Sequence, residues 1–261
     1  QNAALGMADV SLLPVAALDR INVVYGGSAA LWGSGNVGGV LLLENDPPVY
    51  DSSGKYSLQV SGGAGSFGQY QSGIKMGYST RKWYVGLNAF GQQAVNNFPY
   101  LNRQGEERQM DHSQLAGGGV MLHAGFRPDA KNEFRISAWG QRYRREIPPA
   151  LFEARSVKEQ EDQSNRIMAL WEHTARKTVW YMKSAYVQDL MAYDDPAVLM
   201  HTRNRSGQYF QEAGMRRKLP ANGNLTLFVP VQSQWMERTD GSIRRQTRVA
   251  LAGALQKTML R

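Results

Sequence analysis

Hydrophobic and polar residues alternate with a period of two along most of this chain. Tyr56, Leu58 and Val60 interleave with Ser57, Gln59 and Ser61. Val85, Leu87 and Ala89 interleave with Tyr84, Gly86 and Asn88, and Phe134, Ile136 and Ala138 with Glu133, Arg135 and Ser137. Successive side chains of a strand point to opposite faces, so each run predicts a strand with one apolar and one polar face. The template predicts ten strands, near 55–64, 68–80, 82–95, 113–127, 132–146, 163–175, 177–191, 205–218, 223–236 and 243–258. Pro230 is a misfit inside an otherwise clean run. It lacks an N–H for the ladder, which predicts a bulge or a local break.

The connections carry a second pattern. Short turns at 79–81, 128–131, 176 and 219–223 alternate with longer stretches near 96–112, 147–162 and 192–204; only 65–67 and 237–242 depart from this by being brief. Aromatic residues flank the short turns: Tyr78 and Trp83 the first, Phe126 and Phe134 the second, Trp171, Trp180 and Tyr181 the third. Tight turns at one end, long loops at the other and a ring of aromatics are the marks of a transmembrane β-barrel wall. A soluble sandwich also alternates, but alternate turn lengths between long strands suit it less well.

Composition removes other classes. The chain has 261 residues, 42% of them apolar and 10% aromatic, which is too apolar for disorder. Its longest apolar runs, Leu12–Leu18 and Val37–Leu43, are seven residues each, well short of the roughly 20 that a membrane helix needs. Mean hydropathy is −0.46, as expected when apolar and polar positions alternate. There is no cysteine, which excludes disulfides and thiolate chemistry. The net charge of +8 fits phosphate-rich lipid as well as nucleic acid.

Residues 1–48 differ from the rest. Six of the fourteen residues from Gly26 to Gly39 are glycine, set between the strand-like runs Ile21–Tyr25 and Val40–Leu43. Gly33-Ser34-Gly35-Asn36-Val37-Gly38 spells a nucleotide-loop pattern, but the run that follows reads as a strand, whereas a phosphate loop must open a helix. The stretch instead resembles the end of the plug domain of TonB-dependent outer-membrane receptors, through Arg20, Ile21, Val23, Gly26, Ser28, Leu31, Trp32, Gly33, Gly38, Gly39 and Val40. Asn22 departs from the glutamate usual in that family, and Leu41-Leu42-Leu43-Glu44 from its usual Ile-Asn-Ile-Ile.

The resemblance implies an all-β chain: the C-terminal part of a plug over 1–48, then the N-terminal part of a barrel over 49–261, about ten strands of an expected 22. It implies a fragment of a receptor in the bacterial outer membrane. Such a receptor takes up an iron–siderophore or cobalamin-like substrate, driven by the TonB complex acting on the plug. Gly26, Gly33, Gly38 and Gly39 would shape the plug beside Arg20. The alternative is a complete ten-stranded barrel with an enzymatic or structural role.

Other chemistry is thinly supported. His112, His123, His173 and His201 show no metal-ligand spacing, so neither a metal nor a cofactor is expected. Asp194, Asp195 and His201 fall on one expected loop, but no nucleophile accompanies them and Asp-Asp-Pro is an ordinary turn former, so no enzyme is expected. Glu153, Glu159, Glu161 and Asp162 read as a solvated acidic loop. The basic clusters Arg142–Arg145, Arg216–Lys218 and Arg244–Arg245 lie near strand ends, which favours contact with outer-membrane lipid and lipopolysaccharide over nucleic acid. The candidate ligand site is the second long loop, where Asn96, Asn97, Phe98, Tyr100 and Asn102 combine rings for contact area with amides for orientation.

Overall fold

The computed structural model describes residues 18–25, 39–44, 50–150, 153, 155–220, 223–239, 241–249 and 251–257. A small sheet pairs β1 (Arg20–Val24) with β2 (Val40–Glu44). The main sheet is an antiparallel meander. It contains β3 (Lys55–Gly65), β4 (Gln69–Ser79), β5 (Trp83–Ala94), β8 (Leu115–Phe126), β9 (Asn132–Ile147), β10 (Lys158–Ala175), β11 (Thr178–Asp195), β12 (Met200–Leu219), β13 (Gly223–Glu237), β14 (Ile243–Val249) and β15 (Ala252–Lys257). Between β5 and β8 a hairpin of β6 (Pro99–Leu101) and β7 (Glu107–Gln109) stands off the sheet.

β14 and β15 continue along one edge of β13 in a single register, from Val231↔Val249 to Phe228↔Ala252. They are one strand interrupted, so the meander has the ten strands the alternation predicts. The interruption at Leu251 faces Val229, and the position facing Pro230 lies outside the described residues. On its other side pairing runs unbroken through Glu212↔Pro230, without a bulge. Among the described residues, β3 and the β14–β15 strand at the ends of the order each have one neighbour, so the sheet is open there. Its edges are bare, with Tyr56 79% and Leu251 82% exposed.

Cross-strand pairs share a face, so the register sorts the side chains. One row of pairs runs Leu87, Leu122, Ala138, Ile167, Tyr186, Tyr209; the next towards the short turns runs Val85, Ala124, Ile136, Ala169, Ser184. This outward face carries the apolar band. Near the turns it is edged by Trp83, Phe126, Phe134, Trp171 and Trp180. Tyr181, expected in that ring, points to the opposite face and is 5% exposed. Odd and even positions of a strand cannot share a face, and Trp180 already holds the outer one.

The inner face is polar. It carries Lys75, Asn88, His123, Ser137, Glu172, Lys183 and Glu212. Near the turns its charges form a chain across neighbouring strands: Arg127 to Glu133 at 2.9 Å, Arg135 to both Glu133 and Glu172, and Arg216 to Glu172. Its few buried apolar side chains include Tyr84, Tyr143 and Tyr181.

Two expected loops are shorter than the sequence pattern indicated. β11 and β12 extend through 192–195 and 200–204, leaving a single 3-10 turn at Pro196–Val198. β10 begins at Lys158, so Glu159, Glu161 and Asp162 are strand residues and not an acidic loop. β10 and β12 have 18 and 20 residues, roughly 60 Å or more, against the 9–11 residues needed to cross a bilayer. Beyond the apolar band both faces are polar, so alternation fades while the ladder continues.

Candidate functional site

The loop end of the sheet places the sequence-predicted site. At the β3–β4 turn Phe67 has φ +58° and Gly68 φ +66°. A Cβ on Gly68 would lie 2.7 Å from a Val95 methyl, so this corner needs glycine both for its left-handed backbone and for its lack of a side chain. The Phe67 carbonyl accepts from the N–H groups of Val95 and Asn96, both at 3.1 Å. The Phe67 and Phe98 rings meet edge to face at 6.1 Å. The β3–β4 turn and the root of the β5–β8 loop thus form one unit.

Within it the five predicted residues divide by role. Asn96 sits at φ +58°, a region asparagine tolerates, and its Nδ2 donates to the Ser113 carbonyl at 2.9 Å. Ser113 Oγ in turn donates to the carbonyls of Val95 and Asn96. Asn102 Oδ1 accepts from the N–H groups of Gln104 and Glu106, and its Nδ2 donates to Glu106 at 3.0 Å, which closes the β6–β7 turn. Both amides are committed to holding the loop. Asn97 and Phe98 are exposed and Tyr100 half-exposed. Beside Asn102, the Glu106 carboxyl is held below its ordinary pKa, first by the hydrogen bond from Arg108 and then by that from Asn102.

The next loop is closed by an ion pair that spacing alone did not single out. Lys158 Nζ reaches Glu153 at 2.5 Å, and Glu153 also accepts from the Ala150 N–H at 2.9 Å. These two contacts, the first the larger, lower the Glu153 pKa.

Asp194, Asp195 and His201 lie at the β11–β12 tip, Asp195 on the face opposite the other two. His201 Nδ1 lies 2.5 Å from Asp194 Oδ1, and Asp195 caps the 3-10 turn by accepting from the Ala197 N–H. The acid and imidazole form an exposed pair across a turn, and no serine or threonine hydroxyl bonds to that histidine among the described residues. The other three histidines are spread out, on Lys158 O, Ser137 Oγ and Asn132 Oδ1. Among the described residues no group of three His, Asp or Glu side chains could hold a metal ion.

Of the plug-like residues, Gly26, Gly33 and Gly38 lie outside the described residues, as do Ser28, Leu31 and Trp32. Gly39 has φ +134°, and a Cβ there would stand 2.9 Å from the Val24 carbonyl oxygen. Arg20 lies 3.9 Å from Glu44, and Asn22 Nδ2 donates to Glu44 at 2.8 Å. The two departures from the family pattern, Asn22 and Glu44, are therefore bonded to each other. This small sheet meets the inner face of the wall, where Lys75 Nζ binds Asp19 at 2.6 Å and the Leu18 carbonyl at 3.3 Å.

No family model matches the chain. Over 72 residues, 28% of this chain and 11% of the relative, it is 42% identical to the vitamin B12 transporter BtuB of Photobacterium profundum. In structure it is similar to the copper transporter OprC, with a TM-score of 0.61 at 14% identity over 87% of this chain and 36% of the other. It is also similar to a mutant of the ferric enterobactin receptor PfeA of Pseudomonas aeruginosa, with a TM-score of 0.62 at 13% identity over 88% and 38% of the two chains. A third similar structure is the unliganded ferric citrate transporter FecA, with a TM-score of 0.57 at 14% identity over 94% and 48%. All are named as transporters or receptors, and this chain spans less than half the length of each. In fold, and over those 72 residues in sequence, the chain is similar to part of a TonB-dependent outer-membrane receptor.

Proposed function

We propose that the chain is a piece of an energy-coupled outer-membrane transporter for an iron–siderophore or cobalamin-like substrate, and that it acts without covalent chemistry. The observation that carries this reading is the two-faced wall: an apolar, aromatic-edged band outside, a polar charge-laced surface inside, and an open edge at each side. The end strands β3 and β14–β15 do not pair with each other among the described residues, which argues against the alternative of a closed ten-stranded barrel; unpaired backbone groups cost several kcal/mol each in hydrocarbon, so such a sheet needs further strands to complete it. The division at residue 48 is supported by the separate β1–β2 sheet and its Lys75–Asp19 contact with the inner face.

In this reading the short turns face the periplasm and the β5–β8 loop faces outward. Substrate touches Asn97, Phe98 and Tyr100, while Asn96 and Asn102 hold the loop in shape. TonB acts through the plug, of which Gly26, Gly33, Gly38 and Gly39 shape the last part. Lipid and lipopolysaccharide surround the wall. The test is uptake of labelled cobalamin and ferric siderophores by cells producing the whole protein, with and without TonB. Uptake that requires both supports the proposal; accumulation of none of these substrates above that of cells lacking the protein contradicts it.

A further inference from the structure

The loop-end half of the outward face is charged, and its charge is unevenly compensated. On β9 and β10, Arg142 pairs with Glu161 at 2.7 Å and Arg144 with Glu159 at 2.5 Å. On β12 and β13 the balance differs. Arg203 and Arg205 share that face and are exposed; beside them lie Arg238 and, among the described residues, one carboxylate, Glu237. These four line a groove of about 580 Å³. Gln188 and Asn165 complete its floor, and with the Gln188 amide turned to accept, its oxygen takes Arg205 Nε at 3.0 Å and Nη2 at 2.8 Å.

The height of the groove is informative. In the rows just below it on the same face stand Tyr186, Tyr209 and Trp235, with Trp235 packed against Gly207. Tyrosine and tryptophan at the edge of an apolar band mark the water interface of a membrane. The arginines therefore sit where the phosphates of a lipid lie when its chains cover the band. Arginine offers two parallel N–H donors to phosphate, and several arginines around one concave surface match a headgroup with more than one phosphate.

We infer that Arg203, Arg205 and Arg238 form a binding site for a phosphorylated glycolipid of the outer leaflet. The inference rests on the outer-membrane reading above and adds to it the class of lipid and the residues that hold it. The paired arginines of β9 and β10 belong to the same rim but not to this site.

The whole protein is tested after extraction from membranes and delipidation. First, membrane fractionation and a heat-modifiable gel band establish that it is an outer-membrane barrel; absence of both contradicts the outer-membrane reading itself. Binding is then measured by native mass spectrometry with three probes: diphosphorylated lipid A, lipid A stripped of phosphate, and inorganic phosphate. The double substitution R203Q/R205Q is expected to weaken diphosphorylated lipid A by about fivefold or more, two lost charge-assisted contacts being worth at least this much. R142Q/R144Q is expected to change it by less than about twofold, because those charges are already neutralised by neighbours. Stripped lipid should bind wild type and R203Q/R205Q alike. Equal affinity of wild type and R203Q/R205Q for diphosphorylated lipid A overturns the assignment. So does indifference of the wild type to lipid phosphorylation, or binding of inorganic phosphate as tight as that of the lipid.

Discussion

Tyr84, Tyr143 and Tyr181 are buried against glycines of the adjoining strands, without a conventional core around them. Each lies directly opposite a glycine, in the pairs Tyr84↔Gly125, Gly117↔Tyr143 and Tyr181↔Gly214. A Cβ on Gly125 would stand 2.2 Å from Tyr84 Cε1, and one on Gly117 2.2 Å from Tyr143 Cδ1. The ring fills the space the glycine leaves, so the pair excludes water from a stretch of backbone that a one-layer wall would otherwise expose. Replacing Gly125 by alanine should displace the Tyr84 ring and cost about 1–3 kcal/mol, the usual penalty of overpacking. Alanine at Gly91, whose nearest neighbour would be 3.8 Å away, should be tolerated. Urea unfolding of the two variants in detergent checks the contrast, and equal midpoints would contradict it. At the candidate site, Phe98→Ala with Tyr100→Ala should weaken substrate uptake and leave barrel yield unchanged, whereas Asn96→Ala should loosen the loop. Uptake and limited proteolysis separate these outcomes; unchanged uptake removes the two rings from the site.

At the scale of elements, charge ties strands and loops together. Glu172 on β10 bridges Arg135 on β9 and Arg216 on β12. Its side chain is 17% exposed and that of Arg216 53%, so Glu172→Gln should cost about 1–2 kcal/mol and not the full value of a buried pair. The measurement is again the unfolding midpoint, and a change within about 0.3 kcal/mol would mean that the bridge is solvated. The 148–157 loop depends on the Lys158–Glu153 pair, whose carboxyl has a lowered pKa. A lowered pKa contributes order that is fully present above the ordinary carboxylate range and is lost as pH falls through the lowered value. Protease cleavage of this loop should therefore be slow above the ordinary carboxylate range and rise progressively as pH falls from that range through the lowered value; cleavage that does not change over this span contradicts the pair's role.

The strands were legible in sequence wherever one face met an apolar medium, because alternation then follows from position: Leu87 and Asn88 must differ. It failed at Lys158–Asp162 and at Ala192–Asp195, where the strands run on beyond the apolar band and the ladder persists on backbone bonds alone. Asn102 could have been read from its local turn, four residues from Glu106. The role of Asn96 could not, because its partner Ser113 lies across a loop.

The whole molecule is a wall whose two faces require two solvents. The band from Trp180 to Tyr186 covers seven residues, about 20 Å along β11, which is most of the 9–11 residues with which a tilted strand crosses a bilayer. Its inner face is bridged by ion pairs and holds the small β1–β2 sheet through Lys75 and Asp19. This arrangement explains why a chain with mean hydropathy of −0.46 can be a membrane protein. The central claim is that the Leu87 face meets lipid and the Asn88 face does not. This chain has no cysteine of its own, and in a form of the whole protein freed of any other cysteines, single cysteines placed one by one from Tyr84 to Phe90 can each be probed in intact outer membranes. Cysteines at 85, 87 and 89 should resist a water-soluble maleimide, and a membrane-permeant fluorescent maleimide placed on them should be quenched by a lipid-confined nitroxide, while those at 86 and 90 do the reverse, 84 and 88 being buried in the wall. Labelling without a period of two, or quenching at neither set, would contradict the account.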